Sequence, residues 1–183
     1  PDLSRRRLAG LLRRVQGVLP ELDLTLSDYG TPADCRLTLD ALRREDEIFL
    51  PLWEEEYVLC VPRGHPFTGR ARIELAELQH YDFIECPPCE AHQQTIGLLA
   101  CDRLTLNLVA KAESKGLVMA LVLAGVGISF LPDGLVEDEA GLCTLPVSGP
   151  RMFRRIGLCY PAHQTLNPAL RALIPELAGQ GAS

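Results

Sequence analysis

No uninterrupted apolar run in these 183 residues is long enough to span a bilayer. The first residues, Pro1-Asp-Leu-Ser-Arg-Arg-Arg, are arginine-rich and lack the apolar core of a secretory signal. Basic residues are outnumbered too: 18 Lys and Arg stand against 24 Asp and Glu, a net charge of −6. Domains that grip DNA by themselves are normally basic, so this stretch is not expected to do so. Gly-x-Ser-x-Gly, Walker and dinucleotide-binding signatures are missing. His65, His80 and His163 are isolated on predicted loops, where a histidine is more often solvated than catalytic. The reading is therefore of a protein that is not an enzyme and carries no cofactor.

Seven cysteines are an odd count, which argues against a complete disulfide framework and for a reducing, cytoplasmic setting. What remains is ordinary for a globular chain, 47 % hydrophobic and 23 % charged. The length suffices for one full core or two small lobes.

The organising stretch is Glu113–Pro132. Ser114 is a good N-cap, and Leu117–Ala124 is apolar on nearly every side, predicting a buried helix. Gly125 can close that helix in the left-handed conformation, and Gly127 allows a close backbone approach. Ile128–Leu131 is a short β-prone run stopped by Pro132. A helix feeding straight into a strand implies an α/β layer.

Taken in order, Leu3, Leu8, Leu11, Leu12, Val15 and Val18 give the first helix an apolar stripe. Arg5, Arg6, Arg7, Arg13 and Arg14 cover the rest, as a solvated face or a partner-facing one. Leu22, Leu24 and Leu26 alternate with polar residues and predict a strand, followed by the turn Tyr29-Gly-Thr-Pro. A long strand is expected over Ile48–Val61, a turn at Pro62–Phe67, a short helix over Ile73–Leu78 and a strand at Tyr81–Ile84. Further on come a helix over Glu90–Ala100, strands at Thr105–Ala110, Leu142–Val147 and Arg155–Tyr160, and a last helix over Asn167–Leu177. The alternation predicts right-handed βαβ units and a mainly parallel sheet.

Three stretches carry a family resemblance. Glu113-Ser114 followed by Leu123-Ala-Gly-Val-Gly-Ile-Ser-Phe-Leu-Pro132 resembles the signature of the effector-binding domain of LysR-type transcriptional regulators. Pro51–Pro66 is similar to that family's crossover strand and His-Pro turn, and Leu19–Thr31 to its second strand and loop. The resemblance implies an α/β fold of the periplasmic-binding-protein type II kind, two Rossmann-like lobes joined by two crossover strands. Lobe I would be residues 1–57 with 156–183 and lobe II residues 58–155. It also implies a cytoplasmic homodimer, a tetramer in the intact regulator, and DNA contact only through a winged helix-turn-helix that these residues do not supply. Between Thr31 and Leu52 the family has a full amphipathic helix and then a strand, where this chain has only Cys35–Arg44. A reduced element and a gap closed up in the numbering both account for this, and the gap is favoured because it keeps both sheet faces covered.

Ligands of open α/β sheets sit where strands lead into helix N-termini, whose free N–H groups favour anions such as a small organic acid. Asp2–Ser4, Tyr29–Thr31, Cys86–Cys89 and Glu113–Lys115 are such places. Carried over by position, the family's effector pocket would be lined by Asp2, Leu3, Ser4, Tyr29, Thr31, Pro87, Cys89, Ser114, Gly127, Ile128 and Ser129, with Arg43 or Arg44 as a basic group. Asp2 departs from the small or hydroxyl residues usual there and disfavours a purely anionic ligand at that point. For Ser114 and Thr31 the alternative is simple capping and turn formation.

Cys86-Pro-Pro-Cys89 sits between a predicted strand and a predicted helix, the setting in which a thiol becomes reactive. With His92 and Cys101 it also has the composition of a zinc site, and the remaining reading is a structural or pocket-lining pair. No metal is assigned. Two alternatives to effector sensing stay open: a thiol redox sensor through Cys86 and Cys89, and a solute-binding protein.

Overall fold

The computed structural model describes residues 2–27, 30–85, 97, 100, 105–163 and 165–179. The chain divides into two compact units, Leu3–Glu55 with Arg154–Ser183, and Asp2 with Glu56–Phe153.

In the first unit, α1 (Arg5–Val18) begins at Ser4, whose Oγ accepts from Arg7 N at 3.2 Å. Its buried face is Leu11 and Val15. Strand β1 (Arg36–Leu39) lies antiparallel to β7 (Phe153–Pro161), with Arg36 opposite Cys159 and Leu39 opposite Ile156. The long strand β2 (Glu47–Pro62) is the other neighbour of β7. Helix α4 (Pro168–Ala178) starts where Asn167 Oδ1 accepts from Leu170 N at 2.8 Å, with Pro168 in the first turn where no N–H is needed. Leu11 and Val15 of α1, Leu52 and Leu158 of the strands, and Leu170, Leu173 and Leu177 of α4 form this unit's core.

The strand predicted over Leu22–Ser27 does not form a ladder. Its alternation is real, but Leu24 and Leu26 are 46 % and 63 % exposed. An alternating segment becomes a strand only where a neighbour takes its backbone groups, and no described strand pairs with it. Nor is there a helix among the described residues between Leu19 and Cys35; β1 follows the irregular segment directly. A cavity of about 360 Å³ bordered by Pro32, Asp34, Pro161 and Leu170 lies beside the shortened segment.

In the second unit, β2 pairs on one side with β5 (Ser129–Pro132), Cys60 opposite Ser129. On the other it pairs with β6 (Leu142–Leu145), Val61 opposite Cys143. Strands β3 (Asp82–Glu85) and β4 (Asn107–Lys111) run parallel, and Phe83 bridges to Ile128. Helix α2 (Lys115–Leu123) and the single turn α3 (Asp133–Val136) flank β5. A 3-10 turn at Leu75–His80 replaces the predicted helix over Ile73–Leu78. Phe67, Ile73, Leu78, Phe83, Ile84, Val118, Val122, Ile128 and Leu131 are almost wholly buried here, each worth roughly 1.5–3 kcal/mol in transfer from water.

Two expectations need correction. The sheet is not mainly parallel: β1–β7, β2–β5 and β2–β6 are antiparallel. The long strands β2 and β7 are met by returning chain on their flanks, which a pattern of alternating elements cannot reveal. Helix α2 is also not buried all round. Val118 and Val122 are sealed, but Leu117 and Leu123 are 57 % and 40 % exposed. Uniformly apolar composition marked the helix correctly but did not specify how many of its faces are covered.

Candidate functional site

Ser114 stands at the start of α2 in extended conformation, and its Oγ accepts from Leu117 N at 3.2 Å. Val118 N closes the first helical bond on Ser114 O at 3.0 Å. The N–H of Lys115 donates to Asp2 Oδ2 at 2.9 Å. Gly116, next in the turn, is exposed, and its N–H has no acceptor among the described residues. Lys115 is 8 % exposed as a residue, but its ammonium is not a buried atom without a partner, so the stem is covered and the tip reaches solvent. A helix N-terminus carries about half a positive charge. The turn is thus an electropositive place met by one carboxylate of the chain itself.

At the far end of α2 the chain must turn back sharply. Gly125 has φ +75°, and its N–H donates to Val122 O at 2.9 Å. Gly127 passes so close to β3 that a Cβ there would stand 2.7 Å from Asp82 O. This approach lets Ile128 N donate to Asp82 O, and Ile84 N donate to Ile128 O, both at 2.9 Å. Ser129 is 2 % exposed, and its Oγ donates to Ile84 O at 2.8 Å. Ile128 and Ser129 therefore spend these groups on β3, while Gly127 is half-buried.

Of the other residues singled out in the sequence, Leu3 is half-buried. Ser4 is 2 % exposed and serves as the cap of α1. Thr31 is exposed beside Gly30, which has φ +102°. Arg43 is exposed, its N–H donating to Asp40 O at 3.1 Å. Tyr29, Cys86, Pro87 and Cys89 lie outside the described residues, as do His92 and Cys101. The structure thus brings Asp2 against Ser114–Lys115, and Gly127–Ser129 against β3. The Asp2 contact spans 113 positions of sequence, a separation that no local pattern announces.

His65 belongs to the turn after β2. Its Nδ1 accepts from Phe67 N at 3.2 Å, and its ring lies 4.9 Å from that of Phe67 and 5.0 Å from that of Tyr81. Partial burial pulls its pKa below the ordinary imidazole value. His80 and His163 are exposed. Among the described residues no group of three His, Cys, Asp or Glu side chains is placed to hold a metal ion, and no helix is long and apolar enough to cross a membrane.

Residues 1–182 match the model of the LysR substrate binding domain. An uncharacterized HTH-type transcriptional regulator of Bacillus subtilis, YybE, is 30 % identical over 132 residues, 71 % of this chain and 45 % of that protein. The hydrogen peroxide-inducible genes activator of Dickeya chrysanthemi is 29 % identical over 177 residues, 87 % of this chain and 57 % of that protein. The chain therefore spans about half the length of the curated relatives it matches. Among solved structures, the CcmR regulatory domain of Synechocystis PCC6803 in complex with 2-PG superposes with a TM-score of 0.80 at 15 % identity, covering 98 % of this chain and 93 % of that one. That likeness establishes the periplasmic-binding-protein type II-like fold.

Proposed function

The chain belongs to the LysR substrate binding domain family, and from that premise we propose that it senses a small-molecule effector at the turn Ser114–Gly116. Its family is one of transcription regulators, not an enzyme class. The observation that carries the reading is the unfilled donor of Gly116 next to the Lys115 N–H, which already meets a carboxylate. A ligand with a hydrogen-bond acceptor, a carboxylate foremost, complements that donor. The 2-PG complex of the CcmR regulatory domain supports a small-molecule effector.

Signalling then needs no chemistry. An effector shifts a conformational equilibrium only by its difference in affinity for the two states. In the full regulator the shift passes through a homodimer, assembled into a tetramer, to DNA-binding heads outside this chain, in the cytoplasm. The test is native mass spectrometry of the purified chain against a library of small organic acids, followed by titration of any hit into Ser114→Ala. A ligand mass lost on denaturation, with binding weakened about tenfold by Ser114→Ala while the protein stays folded, supports the site. Unchanged affinity in Ser114→Ala removes Ser114 from it.

A second reading, thiol redox sensing through Cys86 and Cys89, is favoured by the likeness to hydrogen peroxide-inducible activators. A disulfide formed by mild peroxide in ligand-free protein would put it first.

A further inference from the structure

We propose that the cavity beside β1 and the start of α4 is a small-molecule site of its own, one that takes a primary amine carrying a short apolar body. The cavity lies wholly within the first unit and is independent of the reading of Ser114–Gly116.

Its volume of about 360 Å³ is at the small end of the range for ligand pockets, which suits a body of a few carbons. The apolar wall is drawn from separate parts of the chain. Pro32 precedes β1, Pro161 ends β7, and Leu166 and Leu170 flank the start of α4. Leu170 is 6 % exposed and Leu166 is half-buried, and both pack in the core of this unit, so that side of the wall is fixed. Against the wall stands one charge. Among the described residues bordering the cavity only Asp34 is of charged type, and it has neither hydrogen bond nor ion pair among the described residues. Its field is felt inward: burial first, and the Asp34 charge second, raise the thiol of the half-buried Cys35 above its ordinary value. Thr165, also on the border, adds a hydroxyl without a partner among the described residues.

An anion finds less here. Asn167 Oδ1 already takes the Leu170 N–H, and Pro168 brings no N–H to the first turn of α4. No described basic side chain borders the cavity. An ammonium meets the opposite setting. It donates to the Asp34 carboxylate and the Thr165 hydroxyl while its carbons lie along the prolines and leucines. Neither half suffices, since an exposed ion pair alone is worth little and a short alkyl chain alone buries little area. The combination selects an alkylammonium over bare ammonium, and over an alkyl carboxylate of the same length.

The experiment uses 15N-labelled chain titrated at fixed ionic strength with butylammonium, ammonium and butyrate, while the amide resonances of Ala33, Asp34, Thr165 and Leu166 are followed. Butylammonium is expected to move them saturably, and propylammonium to bind up to about fourfold more weakly for its missing methylene. Asp34→Asn, a change at an exposed position, should weaken butylammonium about fivefold and leave the rest of the spectrum in place. Ala33→Phe, which adds a ring at the border and keeps the carboxylate, should weaken it as well. Equal butylammonium affinity in wild type and Asp34→Asn overturns the proposal. Ammonium acting as strongly as butylammonium reduces the site to a solvated carboxylate and overturns it too, as does butyrate binding as tightly. Butylammonium shifts that never saturate, or that fall only on Lys115 and Gly116, likewise overturn it.

Discussion

Arg154 Nε donates to Glu55 Oε2 at 2.7 Å, and the two residues are 3 % and 0 % exposed. Trp53 Nε1 donates to the other carboxylate oxygen at 3.2 Å. This buried pair joins β2 to β7 inside the first unit, with the exposed pair Arg155–Glu54 beside it at 2.9 Å. Removing one member of a buried pair strands the other, at a cost of about 3–5 kcal/mol, whereas replacing both with apolar side chains is often neutral. Arg154→Met should therefore lower stability strongly, and adding Glu55→Leu should restore most of it. Arg155→Ala should change little, because its pair is solvated. Urea unfolding followed by fluorescence of the one tryptophan, which reports from beside Glu55, measures all three.

The sequence made the second unit more legible than the first, for physical reasons. Ser114 and Gly125 act through near neighbours in the chain, so cap and stop could be read directly and are observed, whereas Gly127 announced a close approach without its partner, Asp82. The long strand also matched, because an apolar run interrupted by Glu54-Glu55-Glu56 has no helical period. Leu22–Ser27 failed because its pattern needs a neighbouring strand that the shortened segment after it does not provide. Glu55 shows the same limit from the other side. In the sequence it is one of three consecutive glutamates, and nothing local distinguishes it as the one that meets Arg154, 99 positions away, in the core. Asp2 at α2 is likewise a long-range partner, 113 positions from Lys115, whose meeting composition alone does not specify.

Two glycines should respond in opposite directions. A Cβ at Gly127 would stand 2.7 Å from the backbone oxygen of Asp82, which cannot rotate away. Gly127→Ala should destabilise by about 1–3 kcal/mol and should speed exchange of the Ile128 amide, which donates to that oxygen. Gly10 lies within α1 and has open space where a Cβ would go. Gly10→Ala should stabilise by about 0.5–1 kcal/mol, because alanine loses less backbone freedom in a helix. Thermal melts of the two variants against wild type give the signs.

Arg36 grips Glu47 through two donors, Nε to Oε1 at 2.8 Å and Nη2 to Oε2 at 2.5 Å. The hydrogen bonds from Arg36, helped by the backbone N–H of Arg44, pull the Glu47 carboxyl down to about 2. A depressed carboxyl stabilises the fold when ionised, so its contribution is complete above the ordinary value of about 4.5 and is lost as pH falls towards 2. Wild type should lose stability through that window, and Glu47→Gln should lose less there while being weaker at pH 7. A urea midpoint that falls equally in both proteins between pH 5 and pH 2.5 would falsify the assignment.

Cys60 and Cys159 are fully buried, and desolvation pushes their thiols up to about 12 and about 11. Cys35, half-buried beside Asp34, is raised for the same leading reason. Since the thiolate is the reactive form, all three should be inert at neutral pH. Iodoacetamide applied to folded protein should spare Cys60 and Cys159 and label them only after unfolding. Mild peroxide before labelling then separates the functional readings. If the chain is a thiol sensor, a loss of about two daltons should map to Cys86 and Cys89 and block their alkylation. If it senses an effector alone, both should stay alkylatable after peroxide. Oxidation at Cys60 or Cys159 in folded protein would contradict their burial, because a protonated thiol sealed in a core offers peroxide neither charge nor access.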